Sequence, residues 1–370
     1  MLRAESCPEV RERSRRRTTG AAGLALVLGV LVGCGGTDDG APGGGAQAPT
    51  TGTSPADPGL PPAPEPATAP PPVGAPAGRV VPVGSLVEGV VVDGQTGTAA
   101  VALRDRRLAL LDAGTGAVRS TVNANGTARH LQLARPGGPV LVPGEDSDLL
   151  TQLRLPDGVV VATARVGRQP HDAAFDPASG RVVVADELAG AVSFVEGDRT
   201  VAQLPGPVQP GGIAVTGGRA AAIDVRGNTA VVYDVAAARE VARLPFGSGL
   251  THAVVLGQDR LLVADTRGNA LFVVALDGTP RVESRVDFPE GSPYGMAVDL
   301  PRGKVYVAAS GANVVVGFRI APDGALVRSD EVVPTVQQPN SLAVDPRNGT
   351  LFVGGATAQG AVQIVRPPSG

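Results

Sequence analysis

The sequence has no tryptophan, and its three tyrosines and seven phenylalanines leave aromatic residues at 3% of 370. Tyr306, Phe175, Phe194, Phe272, Phe318 and Phe352 fall within apolar runs at core spacing, so they read as packing and not as a base-stacking platform. Two cysteines, Cys7 and Cys34, exclude a disulfide framework and any Cys-rich zinc module. Lysine occurs once, as Lys304 beside a turn, against 31 arginines, which gives no hint of Schiff-base chemistry. There are three histidines and no tight His-x-His pair, so spacing alone implies no metal site. A helix bundle is disfavoured too, because 51 glycines and 34 prolines are costly inside helices.

What is present begins with an address. Six arginines among residues 3 to 17 precede an uncharged run from Gly20 to Gly33. That run is short for a bilayer span and has the length of a signal-peptide core. It ends in Leu31-Val32-Gly33-Cys34, which resembles the lipobox of bacterial lipoproteins. The resemblance implies removal of residues 1–33, a diacylglycerol on Cys34 as the only attached group, and anchoring to the outer face of the cytoplasmic membrane. Ser14-Arg15-Arg16-Arg17 matches a twin-arginine signal only in part, so either export route stays open, and translation starting near Val10 would suit the long leader. Losing the signal takes a net charge of +3 with it and moves the chain from −3 to about −6. Nucleic acid is therefore not an expected partner.

Residues 35 to 78 hold 12 prolines and 10 glycines and no aromatic residue. Such a segment buries too little apolar surface to offset chain entropy, so residues 34–78 are expected to be a lipidated cysteine followed by a disordered tether.

From Arg79 onward the pattern repeats. Runs of four to seven Val, Leu, Ile and Ala alternate with Gly, Asp, Asn and Pro turns, the pattern of many short strands. The leading segments Glu88-Gly89, Arg129-His130, Pro170-His171, Pro210-Gly211, Leu250-Thr251, Pro293-Tyr294 and Pro339-Asn340 recur at steps of 41, 41, 40, 40, 43 and 46 residues. Seven units of that length predict an all-β, seven-bladed propeller of four-stranded antiparallel blades over 79–370. The last unit shows only three strands, so Val80 to Val83 is expected to supply its fourth and close the ring.

Val305-Tyr306-Val307-Ala308-Ala309, after the turn Asp299 to Gly303 and the leading Pro293-Tyr294-Gly295, resembles the YVTN-repeat (YncE-like) propellers. Leu261 to Asp265 and Leu351 to Gly355 are weaker copies. The resemblance covers residues 79 to 367, and its motifs carry architecture and not activity. Propellers that hold a quinone cofactor rely on tryptophans, which this chain lacks.

The three histidines, His130, His171 and His252, all fall at blade starts, where blades six and seven have Tyr294 and Asn340 and blades one and four have Gly89 and Gly211. The hairpins between second and third strands, with Asp186, Glu187, Asp224, Arg226, Asp265 and Arg267, belong on the same face. Convergent polar groups around a concave mouth are a binding-site pattern. The expected occupant is a small molecule, glycan or envelope protein, bound by a monomer acting as a binding or scaffolding module. The competing expectation is a lyase or lactonase-like enzyme with a His general base. Glu145-Asp146-Ser147-Asp148 lacks the glycine and terminal glutamate of a calcium loop and is expected to be a solvated acidic turn.

Overall fold

A computed structural model describes residues 59–367 except Gln258. The expected signal segment, Cys34 and the start of the tether lie outside these residues. Blade one runs from β2 (Val87–Asp93) to β5 (Val118–Asn123), blade two from β6 (Gln132–Leu133) to β9 (Val160–Arg165), and blade three from β10 (Pro170–Asp176) to β13 (Arg199–Pro205). Blade four spans β14 (Pro210–Thr216) to β17 (Arg239–Pro245), blade five β18 (Leu250–Gly257) to β21 (Arg281–Asp287), and blade six β22 (Pro293–Asp299) to β25 (Leu326–Pro334). Each is a four-stranded antiparallel meander. Blade seven joins β26 (Pro339–Val344), β27 (Leu351–Gly355) and β28 (Ala361–Val365) to β1 (Arg79–Pro82).

That last pairing closes the ring as expected, with Arg79 opposite Ile364 and Pro82 opposite Ala361. Pro82 has no N–H to donate, and on an outermost strand none is required. The first turn of each blade follows its side chains. Asp176 Oδ2 accepts from the Ser179 amide at 3.0 Å, and Gly180 closes the turn at φ +74°. Second strands are covered on both sides by neighbouring blades, so Arg181–Asp186 is buried after its first residue, while Val118–Asn123 on the outside is nearly all exposed. Among the described residues the apolar side chains fall into seven clusters, one between each pair of adjacent blades. Cohesion is thus spread around the ring.

The inner strands crowd one another near the channel. A Cβ on Gly212 would meet Thr251 O at 2.7 Å, and one on Gly295 would meet Asn340 O at 2.7 Å. Neither position has room for a side chain.

The tether departs from expectation over its described part. Residues 60–70 are not a free coil; they lie as a strap across the loops at one end of the channel. Arg226 donates to the carbonyls of Leu60 and Pro61, Arg267 to that of Pro62, and Asn313 to that of Pro70. Composition gives this segment no way to fold on itself, but its unpaired carbonyls are good acceptors for a ring that supplies donors.

Candidate functional site

The mouth side chains owe their direction to a repeated irregularity. Pro170 pairs with Asp186 and the next pair is Asp172 with Ala185, so His171 is an extra residue in its strand. The same break frees Glu88 in blade one, Gly211 in blade four, Thr251 and His252 in blade five, Tyr294 and Gly295 in blade six, and Asn340 in blade seven. A β-bulge re-aims a side chain out of the sheet, and here it brings Glu88, His171, His252 and Tyr294 into the central cluster. Two sequence assignments are corrected by this register. In blade one the bulged residue is Glu88 and not Gly89, and His252 sits one residue deeper than His171.

The three histidines meet at the centre. His130 Nε2 is 3.1 Å from His171 Nε2, and the His130 ring centroid is 4.4 Å from that of His252, which in turn packs edge-on against Tyr294 at 4.3 Å. His171 Nδ1 lies 2.9 Å from Glu145 Oε1 and 3.0 Å from Glu187 Oε2. Burial works against the charged form of His171, but the two carboxylates, Glu187 foremost, outweigh it and push its pKa up to about 10. Glu187 is buried as well, yet the His171 charge holds it down to about 2. His171 is therefore an imidazolium clamped between two carboxylates, donating through Nε2 to His130. That assigns His130 the tautomer with its proton on Nδ1. Burial and the nearby positive charges push His130 well below its ordinary value and His252 down to about 3, so both are neutral at physiological pH.

A second charged group caps this one. Arg129, 9% exposed, has Nε 3.7 Å from Glu88 Oε2 and donates to Glu65 Oε2 of the strap at 3.2 Å, and its charge acts on the buried Tyr294 hydroxyl. Glu88 is 2% exposed and also pairs with Arg104; burial raises its pKa despite both arginines. Beneath these groups the channel holds a cavity of about 350 Å³ walled by Val90, Val92, Leu133, Met296 and Val344, with His130, His252 and Asp172 among its polar lining. His252 Nε2 is buried with no partner. Asp172 accepts from Gln132 at 3.0 Å and from the Ile213 amide at 3.0 Å, and burial pushes it up to about 6.

Of the eight residues singled out for ligand binding, the ring brings His130, His171, His252 and Tyr294 together, with Asn340 buried at the start of blade seven. The three aspartates do not join them. Asp224 accepts from the amides of Val208, Arg226 and Gly227, and Asp265 from those of Ser248 and Gly268, so each ties its own loop. Asp186 accepts from Ser193 Oγ at 2.5 Å and is buried away from the mouth charges, which raises it to about 7. Glu145 is no solvated turn residue, since it clamps His171. Arg129 and Glu88 appeared in the sequence only as repeat markers. A metal site was not expected from spacing, yet Glu145 and Glu187, from two neighbouring hairpins, converge on His171 of β10 with one ligand atom each within 4.8 Å of one another. A divalent cation could take the place of the Nδ1 proton there.

The protein is a seven-bladed β-propeller, and comparison with solved structures supports that class. The chain is similar to the hydrazine synthase of Kuenenia stuttgartiensis, with a TM-score of 0.64 and 16% identity over 76% of this chain and 96% of that one. It is similar to the WD40 repeats of RRP9, with a TM-score of 0.68 and 13% identity over 80% and 99% of the two chains. A third likeness is to U3-55K, with a TM-score of 0.68 and 12% identity over 79% and 100%. At such identities these likenesses establish the fold alone. No family model and no curated protein matches the chain.

Proposed function

We propose that this protein is a binding module of the cell envelope, a divergent YVTN-repeat (YncE-like) propeller held outside the cytoplasmic membrane by acylated Cys34. It presents the mouth face of the ring to a ligand or partner protein. The observation that carries the binding reading is the state of the mouth. Its charges are already paired, His171 with Glu145 and Glu187 and Arg129 with Glu88 and Glu65, and side chains of four blades hold main chain laid across it. Pre-paired, rigid groups orient what docks on them without being consumed. The test is a thermal-shift screen of the mature chain, made soluble by Cys34→Ser, against glycans, wall fragments, peptides, metal ions and small lactones. It is repeated on H130A/H171A/H252A. A stabilising ligand whose effect disappears in the triple variant is expected; equal stabilisation of both would refute a mouth site. In cells, C34S should leave the membrane fraction, and full retention would refute the anchor.

One observation favours an enzyme as the second reading. His252 Nε2 is buried and unpartnered at the 350 Å³ cavity, beside a neutral His130 backed by the His171 imidazolium. In the tautomer protonated on Nδ1, Nε2 would offer its lone pair to a substrate proton, and a bound substrate would have to raise it from about 3 for it to work as a general base. Lactone turnover lost in H130A/H252A would establish that reading over binding alone.

A further inference from the structure

The strap is held in the way a ligand is held. We propose that the mouth face is a docking groove for extended, proline-rich peptides carrying a carboxylate, contributed by a partner protein, and that residues 60–70 occupy this groove in cis. This inference rests on the binding reading above and names the partner chemistry.

Five of the eleven residues from Leu60 to Pro70 are proline, so the segment has few N–H groups, and an extended proline-rich chain leaves its carbonyls unpaired. A surface that recognises such a chain must therefore donate. This one does: Arg226 donates to Leu60 O at 3.1 Å and Pro61 O at 3.0 Å, and Arg267 to Pro62 O at 2.6 Å. Gln338 donates to Ala67 O at 2.7 Å, Gln337 to Ala69 O at 2.9 Å, and Asn313 to Pro70 O at 2.7 Å. Two of its N–H groups are read as well. Ala67 donates to Ser310 Oγ at 3.0 Å and Ala69 to Gln338 Oε1 at 2.8 Å. The one charged side chain of the segment, Glu65, meets Arg129 over the channel.

Two features separate this from ordinary packing of a linker. Arg226 and Arg267 occupy the same hairpin position in blades four and five, two residues after Asp224 and Asp265, so the fold repeats one reading head at blade spacing. In addition, the ring does not depend on the strap. β1 closes blade seven by itself, and within residues 60–70 only Ala69 is buried. Recognition runs through main chain, so a partner segment with similar proline spacing meets the same donors, and Arg129 selects for an acidic residue near its middle. A preformed polyproline II segment docks at low ordering entropy, and here side-chain donors to its carbonyls stand in place of the aromatic-lined groove of other polyproline readers.

The experiment uses the mature C34S chain and a second form in which residues 60–70 are replaced by eleven Gly and Ser residues. The probe is a fluorescein-labelled peptide of sequence GLPPAPEPATAPPP. The strap-replaced protein should give saturable anisotropy. The intact chain should bind at least about tenfold more weakly, because a cis segment at millimolar effective concentration competes with a micromolar peptide. Adding R226A/R267A to the strap-replaced form should weaken binding at least about tenfold, and a Glu-to-Gln peptide should weaken it measurably. Circular dichroism and a cooperative melt verify that each variant is folded. Absence of saturable binding to a folded strap-replaced protein, or equal binding of a proline-free peptide of the same charge, overturns the proposal. So does a dimer of the intact chain that strap replacement abolishes, since the occupant would then be a second copy. A different ligand that stabilises the strap-replaced protein through the mouth histidines, with no peptide binding, would leave the binding function standing and remove only this inference.

Discussion

Glu187→Gln tests the electrostatic reading of the mouth most directly. The perturbation removes one of two carboxylates that hold His171, at 3.0 Å, and leaves the other at 2.9 Å. At about 3 Å and an effective dielectric constant near 20, a single pair is worth about 5 kcal/mol before desolvation. A rise from 6.5 to about 10 corresponds to a preference for the protonated form of the same order, shared between two partners. Breaking a buried pair costs roughly 3–5 kcal/mol when nothing replaces the lost partner, and Glu145 remains, so a loss of about 2–3 kcal/mol is expected. Spread over an unfolding entropy of roughly 2 cal/mol/K per residue for about 290 residues, that lowers Tm by about 3–5 °C.

The pH dependence gives the sign. The folded pKa of His171 lies above its unfolded value, so its contribution is complete below 6.5 and is lost as pH rises toward about 10. Glu187 is held below its unfolded value, so its contribution is complete above 4.5 and is lost as pH falls toward about 2. Both describe one interaction, at full strength between about 4.5 and 6.5. The difference in stability between the native protein and E187Q should therefore be largest near pH 5.5 and shrink by pH 9.5. Denaturant melts of EDTA-treated protein at the two values measure it. Imidazole NMR identifies His171 by comparison with H130Q and H252Q, since the chain has only three histidines. A native His171 that titrates in the ordinary range, or an E187Q deficit independent of pH, would refute the clamp and leave only packing.

Three further outcomes follow from the same structure. His252 is held down to about 3, below its unfolded 6.5, so it costs stability progressively as pH falls from 6.5 toward 3; H252Q should flatten that acid limb in melts at pH 6.5 and 4.5. Asp186 is raised to about 7 by burial, so the fold is weakened as pH rises from 3.8 through 7, and D186N should raise stability at pH 8.5 relative to pH 5. Gly295→Ala places a methyl 2.7 Å from Asn340 O between two inner strands and should cost about 1–3 kcal/mol, read as a lower urea midpoint with unchanged slope.

The architecture was legible because a propeller writes its geometry into periodic local chemistry. Asp-to-Gly turns at fixed offsets and short β-branched runs state the blade, the 40-odd-residue step states the ring, and the incomplete last unit states its closure. The site was half legible. Histidines at the starts of inner strands had to share one face, so His130, His171 and His252 were found together although His252 lies one residue deeper. Their charge states were not readable, because they depend on Glu145 and Glu187 arriving from different hairpins and on Arg129, which looked like a repeat marker. Aspartates misled for the opposite reason: Asp224 and Asp265 sit beside the mouth, but short carboxylates close to free amides close loops before they reach a ligand. The tether misled because composition reports whether a segment can fold on itself and is silent on whether a neighbouring surface supplies the missing donors. A segment with unpaired carbonyls and a ring face lined with Arg, Gln and Asn are complementary, and neither half signals the other along the chain. The same reasoning sets where function concentrates: the strap and the charged floor beneath it meet through Glu65 and Arg129, so whatever displaces the strap also breaks that pair and leaves Arg129, beside Glu88, to the incoming ligand.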